Sequence, residues 1–119
     1  TFGGNPVGCS IALKVLELIE KEKILSNVVK LSEILICELE KLVEKHQNKI
    51  SGVRGKGLMV GVVCVEKNSV ITDHAFQSGL LLVNAANNVI RFLPPLNISE
   101  NEVIEAIKKF DETLSNLDI

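Results

Sequence analysis

Residues 50–65 read Ile-Ser-Gly-Val-Arg-Gly-Lys-Gly-Leu-Met-Val-Gly-Val-Val-Cys-Val. Two short Val-rich runs, 50–54 and 58–65, are punctuated by Gly52, Gly55, Gly57 and Gly61. That pattern predicts two adjacent strands meeting near Gly55-Lys56-Gly57. The residues before Asn48 follow a different period, and the change from one to the other calls for a mixed α and β chain.

Upstream of this stretch, Ile24, Val28, Leu31, Leu35, Leu39 and Leu42 step by three and four, a helical stripe about five turns long. Fewer than three full heptads are present, which favours core packing over a coiled-coil seam. An earlier helix begins at Asn5-Pro6, where Asn caps and Pro takes the first helical position. Its Val7, Ile11, Val15 and Ile19 form one stripe. Leu13 and Leu18 widen the apolar surface, so this helix is expected to touch more than one body. The charged run 20–23 reads as a solvated connection.

Downstream, residues 69–77 are expected to form a short helix ended by Ser78-Gly79. Residues 80–83 and 89–93 read as two more strands around an Ala-Ala-Asn-Asn turn, and Pro94-Pro95 stops the last one. Ser99-Glu100-Asn101-Glu102 matches a capping box. After it Val103, Ile107, Phe110, Leu114 and Leu117 keep helical spacing. The expected fold is α+β: a small, mostly antiparallel sheet with helices packed on one face.

The chain has 119 residues, a net charge of −2, 46% hydrophobic and 24% charged residues, enough for one core under an ordinary charged surface. Thirteen basic residues against 15 acidic ones give no electrostatic reason to bind nucleic acid. Four Phe with no Tyr or Trp argue against a base-stacking platform. The longest apolar run, 58–65, is far short of the roughly 20 residues that span a bilayer. No secretory leader is visible, and an opening at Thr-Phe-Gly-Gly-Asn-Pro without Met reads as a cut inside a longer protein. Cys9, Cys37 and Cys64 are widely spaced and are expected to be reduced core thiols, consistent with a cytoplasmic location.

Three stretches carry candidate chemistry. Thr1-Phe2-Gly3-Gly4-Asn5-Pro6 places a hydroxyl and two glycines before a helix N-terminus, where a phosphate or carboxylate is favoured; an ordinary capped turn fits the same residues. Residues 52–57 are basic and glycine-rich, but their spacing better suits a tight β-connection. Arg91 stands in the otherwise apolar strand 89–93. Its planar fork suits bidentate capture of a carboxylate, and the alternative is an edge-strand arginine reaching water. His46 and His74 have no evident partner and read as surface residues. No metal-ligand spacing stands out.

Taken together, four motifs resemble the C-terminal part of the class-III aminotransferases, pyridoxal-phosphate enzymes of fold type I. They are Thr1-Phe2-Gly3-Gly4-Asn5-Pro6, Arg54-Gly55-Lys56-Gly57-Leu58-Met59, Gly79-Leu80-Leu81-Leu82-Val83-Asn84 and Arg91-Phe92-Leu93-Pro94-Pro95-Leu96, in the family's order. Within the family the likeness is greatest to the branch that acts on N-acetylornithine. The resemblance implies pyridoxal 5′-phosphate in the full-length enzyme and a homodimer, with Thr1 binding the cofactor phosphate in the neighbouring subunit's site. It implies that Arg91 pairs with a substrate carboxylate. It also divides the chain into residues 1–22, the end of the cofactor-domain segment with a long interdomain helix, and residues 23–119, the small domain. The family's Schiff-base lysine lies upstream of the Thr motif, so no catalytic residue is assigned here and the chain alone is expected to be inactive.

The implied reaction moves an amino group between N-acetylornithine, or a related ω-amino acid, and 2-oxoglutarate, in arginine or lysine biosynthesis. Ornithine or 4-aminobutyrate aminotransferases are alternatives within the family. From other classes, an amino-acid-binding regulatory domain or an oligomerisation module would use the same features.

Overall fold

The structure is a computed structural model that describes residues 3–117. Its elements, in chain order, are α1 (Pro6–Lys21), α2 (Ile24–Lys45), β1 (Ile50–Lys56), β2 (Met59–Cys64), α3 (Asn68–Gln77), β3 (Val83–Ala85), β4 (Val89–Phe92) and α4 (Glu100–Ser115). The strands form one four-stranded sheet in the order β1-β2-β4-β3, antiparallel throughout. The α+β expectation is met.

Strand alternation decides which side of the sheet the helices cover. Val60, Val62 and Cys64 of β2, with Ile90 and Phe92 of β4, point to the helices. Against them α2 buries Leu31, Leu35, Leu39 and Leu42, and α4 buries Val103, Ile107, Phe110 and Leu114. Each such side chain contributes about 1.5–3 kcal/mol when fully removed from water. The Phe92 and Phe110 rings meet edge to face at 5.1 Å, tying β4 to α4.

Local signals fixed several boundaries. Ser99 and Glu102 form the predicted capping box: the Glu102 amide donates to Ser99 Oγ at 3.3 Å, and the Ser99 amide to Glu102 Oε2 at 2.8 Å. Asn5 caps α1, accepting from the Gly8 amide at 2.8 Å. The tight β1–β2 turn falls at residues 57–58, beside the expected meeting point at 55–57, with Gly55 paired to Val60 in the ladder just before it. Gly55 is required there, because a Cβ would stand 2.3 Å from the Met59 carbonyl oxygen.

Four expectations need correction. Strand β3 covers Val83–Ala85 rather than residues 80–83, because Leu80 and Leu82 pack against the core instead of pairing along an edge. Cys9 and Cys37 are exposed, and only Cys64 is buried. Cys37 lies two residues from both Leu35 and Leu39, which puts it on the opposite side of α2 from the stripe, and α1 buries nothing. Burial pushes the Cys64 thiol up to about 11, so it is a packing group and no nucleophile. His46, expected at the surface, is buried at the C-terminal end of α2, and its Nε2 lies 2.7 Å from Asp111 of α4. His74 is exposed as expected.

The His46–Asp111 contact is part of a clasp between α2 and α4. Lys45 Nζ reaches both Asp111 oxygens at 2.7 and 2.8 Å, and the buried Lys49 donates to the carbonyls of Leu114 in the last turn of α4 and of Leu117 just beyond it. Burial alone would raise the Asp111 carboxyl, but hydrogen bonds and charge from Lys45 and His46 outweigh it and hold the carboxyl below its ordinary value. A carboxylate lowered in the folded state stabilises the fold above its unfolded value, about 3.9, and that contribution disappears as pH falls through the lower folded value. Asp111→Asn is therefore expected to cost about 1 kcal/mol at pH 7, after allowance for its partial exposure. The loss should shrink below pH 4. Urea titrations of both forms at several pH values check this; a difference independent of pH between 2 and 7 would refute the assignment.

Helix α1 stands apart. It meets α2, but only Leu18 and Ile19 near its C-terminal end are partly covered, and Val7, Ile11, Leu13, Val15 and Leu16 are all exposed. The radius of gyration, 16.6 Å, exceeds the roughly 13.5 Å of a closed domain of this length. No helix among the described residues is long and apolar enough to cross a membrane.

Candidate functional site

The sheet face away from the helices is open, and its residues build the site. Register places Arg54 of β1 opposite Gly61 of β2, Gly61 opposite Arg91 of β4, and Arg91 opposite Val83 of β3. Residues paired across strands point to the same side, so the two arginines share one row with a glycine between them. Arg91 is half-buried and Arg54 exposed. Together with Gly55, Met59, Gly61, Ala85, Ala86, Asn87 and Val89 they line an open depression of about 390 Å³, within the range of small-molecule sites.

The rim of this depression is held by an asparagine turn. Asn87 and Asn88 take left-handed backbone (φ 60° and 55°), which asparagine tolerates better than most residues. The Asn88 amide nitrogen donates to the Cys64 and Glu66 carbonyls at 2.9 and 2.7 Å, and its oxygen accepts from the Asn68 amide at 2.8 Å. One side chain thus joins the end of β2, the start of α3 and the β3–β4 turn, which fixes β4 and the arginine it carries.

Arg91 is where the sequence placed it, on the face opposite Ile90 and Phe92. Among the described residues no carboxylate pairs with its guanidinium. A half-buried guanidinium with no carboxylate partner among the described residues keeps its hydrogen-bonding fork open to an anion. The relation of Arg54 to Arg91 was not read from the sequence. The available signal was Gly61 inside a valine strand, since an isolated strand glycine marks a close approach.

Thr1 lies outside the described residues. The turn that follows it is described: Gly3 and Gly4 have φ of +57° and +65°, and a side chain on either would meet nothing within 4 Å. A depression beside it is lined by Gly4, Asn5, Gly8, Cys9 and Ala12. Small residues ahead of a helix N-terminus suit the phosphate end of a cofactor, but this set contains no lysine, acid or aromatic ring that could hold the rest of one. The described residues also contain no group of three or more His, Cys, Asp or Glu that could hold a metal ion.

Residues 1–114 match the family aminotransferase class-III. The chain belongs to the class-III aminotransferases. It is 46% identical over 114 residues to acetylornithine aminotransferase from Prochlorococcus marinus, covering 93% of this chain and 28% of that protein. It is 43% identical over 115 residues to the enzyme of the same name from Clostridium acetobutylicum, covering 96% of this chain and 30% of that one. The crystal structure of acetylornithine aminotransferase from Elizabethkingia anophelis superposes with a TM-score of 0.90 at 30% identity, over 96% of this chain and 29% of that chain. The chain thus spans less than a third of the length of these relatives.

Proposed function

We propose that this chain is the substrate-orienting small domain of an aminotransferase that moves an amino group between N-acetylornithine, or a related ω-amino acid, and 2-oxoglutarate. The observation that carries the reading is Arg91, half-buried on an open sheet face with no carboxylate paired to it among the described residues, in a chain of this family. Its role is to bind a substrate carboxylate through both guanidinium edges and so fix the orientation of the reacting amino or oxo group. Pyridoxal 5′-phosphate, when bound to the whole protein, supplies the electron sink for the transfer.

On this reading residues 1–22 link the small domain to the cofactor domain, and residues 23–119 are the small domain itself. The apolar residues α1 leaves exposed on several sides support the division, since such a surface is stable only when covered. Thr1, with the open glycine turn behind it, would hold the cofactor phosphate in the neighbouring subunit of a homodimer. The location proposed is cytoplasmic.

Full-length protein is expected to transaminate 2-oxoglutarate with N-acetylornithine, and the 119-residue chain alone is expected to be inactive. Thr1→Ala in the full-length protein should weaken cofactor retention about tenfold, the loss of one charge-assisted hydrogen bond. Fluorescence titration of the cofactor checks it, and equal affinity in variant and parent would remove Thr1 from the site. Appreciable binding of amino acids to the isolated chain in calorimetry would instead favour a regulatory domain.

A further inference from the structure

Arg54 and Arg91 are the two arginines of the sequence, and both stand opposite Gly61 on the open face of the sheet. Two strand spacings separate their backbones, about 10 Å. Gly61 keeps the row open between them. A Cβ there would lie 2.9 Å from Val89 Cγ1 and 3.8 Å from Arg54 Cγ, so a side chain would press on Val89 and fill the space beside the Arg54 stem. Among the described residues no acid lines the depression.

Six of the eleven lysines, Lys14, Lys30, Lys41, Lys45, Lys108 and Lys109, have a carboxylate within ion-pair distance, whereas among the described residues neither arginine does. The positive charge of this face is therefore uncompensated locally, and its field extends toward solvent. The two arginines differ in placement. Arg91 is half-buried on an inner strand, while Arg54 is exposed on the edge strand β1, at the outer side of the depression.

We propose that Arg54 is an electrostatic capture residue that draws the doubly charged oxo acid toward Arg91. The inference rests on the reading of Arg91 as the carboxylate-binding residue. 2-Oxoglutarate carries two carboxylates and a net charge of −2, whereas N-acetylornithine carries one ammonium and one carboxylate and is neutral overall. A single positive charge about 10 Å from a dianion in water changes its local concentration about fourfold, and does little to a neutral zwitterion. Arg54 thus acts on one half-reaction and leaves the other alone, and it does so without touching the bound substrate.

The test uses full-length protein carrying Arg54→Gln or Arg54→Lys, with kcat/KM measured for each substrate at about 0.02 M and about 0.5 M ionic strength, where the screening length falls from about 20 Å to about 4 Å. Arg54→Gln is expected to lower kcat/KM for 2-oxoglutarate about 2.3-fold at low salt, the fourfold unscreened effect reduced over half a screening length, and less than 1.5-fold at high salt. N-acetylornithine should stay within about 1.3-fold at both, and Arg54→Lys should restore the parent values, since charge rather than the guanidinium fork is what acts. An equal loss for both substrates, a loss independent of salt, no loss at all, or failure of lysine to rescue would each overturn the capture role. Those outcomes leave Arg91 untouched; its own reading fails only if substitution of Arg91 changes neither KM.

Discussion

Arg91→Lys in the full-length protein is expected to raise KM for the amino-acid substrate and for the oxo acid about thirtyfold each. Lysine keeps the charge but loses the planar fork, so one charge-assisted hydrogen bond of about 2 kcal/mol is lost from a half-buried site. At 1.36 kcal/mol per tenfold change, that corresponds to a factor of about thirty. The side chain is also shorter in its bonding reach, and the depression around Arg91 offers no second cation except Arg54 on the far side of Gly61. The turnover number should fall less than KM rises, because the carboxylate is held in both ground and transition states. Steady-state kinetics with each substrate varied in turn decide it. Unchanged KM values for both would remove Arg91 from the substrate site.

Phe110→Ala is expected to be the most destabilising single substitution in the α4 face, at about 3–5 kcal/mol. Phe110 is fully buried, and its ring stands at 84° to that of Phe92. Removing it empties a large volume and also forfeits an aromatic pair worth about 1 kcal/mol. The consequence reaches the site directly. Phe92 neighbours Arg91 on β4 with its side chain on the opposite face, so a cavity under Phe92 loosens the strand that aims the guanidinium. Urea unfolding of the 119-residue chain, followed by far-ultraviolet circular dichroism, measures the cost. A loss under about 1 kcal/mol would mean that β4 and α4 do not depend on this contact.

Much of the helical architecture was legible because helices answer to neighbours three and four residues away. The α2 stripe of Leu31, Leu35, Leu39 and Leu42 and the Ser99–Glu102 box are local patterns, and both appear in the structure as read. The β1–β2 hairpin was equally legible, since glycines mark its turn. Strand β3 was less so. Leu80-Leu81-Leu82 looks like the start of a strand, but its half-buried leucines are drawn to the core, and pairing with β4 begins at Val83. The exposure of Cys9 and Cys37 escapes the sequence pattern for a related reason. Cysteine is apolar in the sequence pattern wherever it falls on a helix, and only the packing partners of α2 and α1 decide which side is inside.

Of the site, the sequence supplied Arg91 and the face it occupies, because alternation along a strand is a two-residue rule. It also supplied Thr1 as a candidate, which lies outside the described residues. It could not supply the company Arg91 keeps. Arg54 is 37 positions away along the chain, and its place in the row depends on two successive antiparallel registers through Gly61. His46 met Asp111, 65 residues further on, only because α2 and α4 run together over the sheet. Local geometry fixes the direction in which a side chain leaves its own helix or strand, and that much was determined by the amino-acid order. Which other side chain it then meets depends on how elements pack across long loops, where the entropy of closure is overcome by burial of the whole core rather than by the pair itself. The two-arginine row and the clasp on Asp111 were decided there, by the tertiary structure alone.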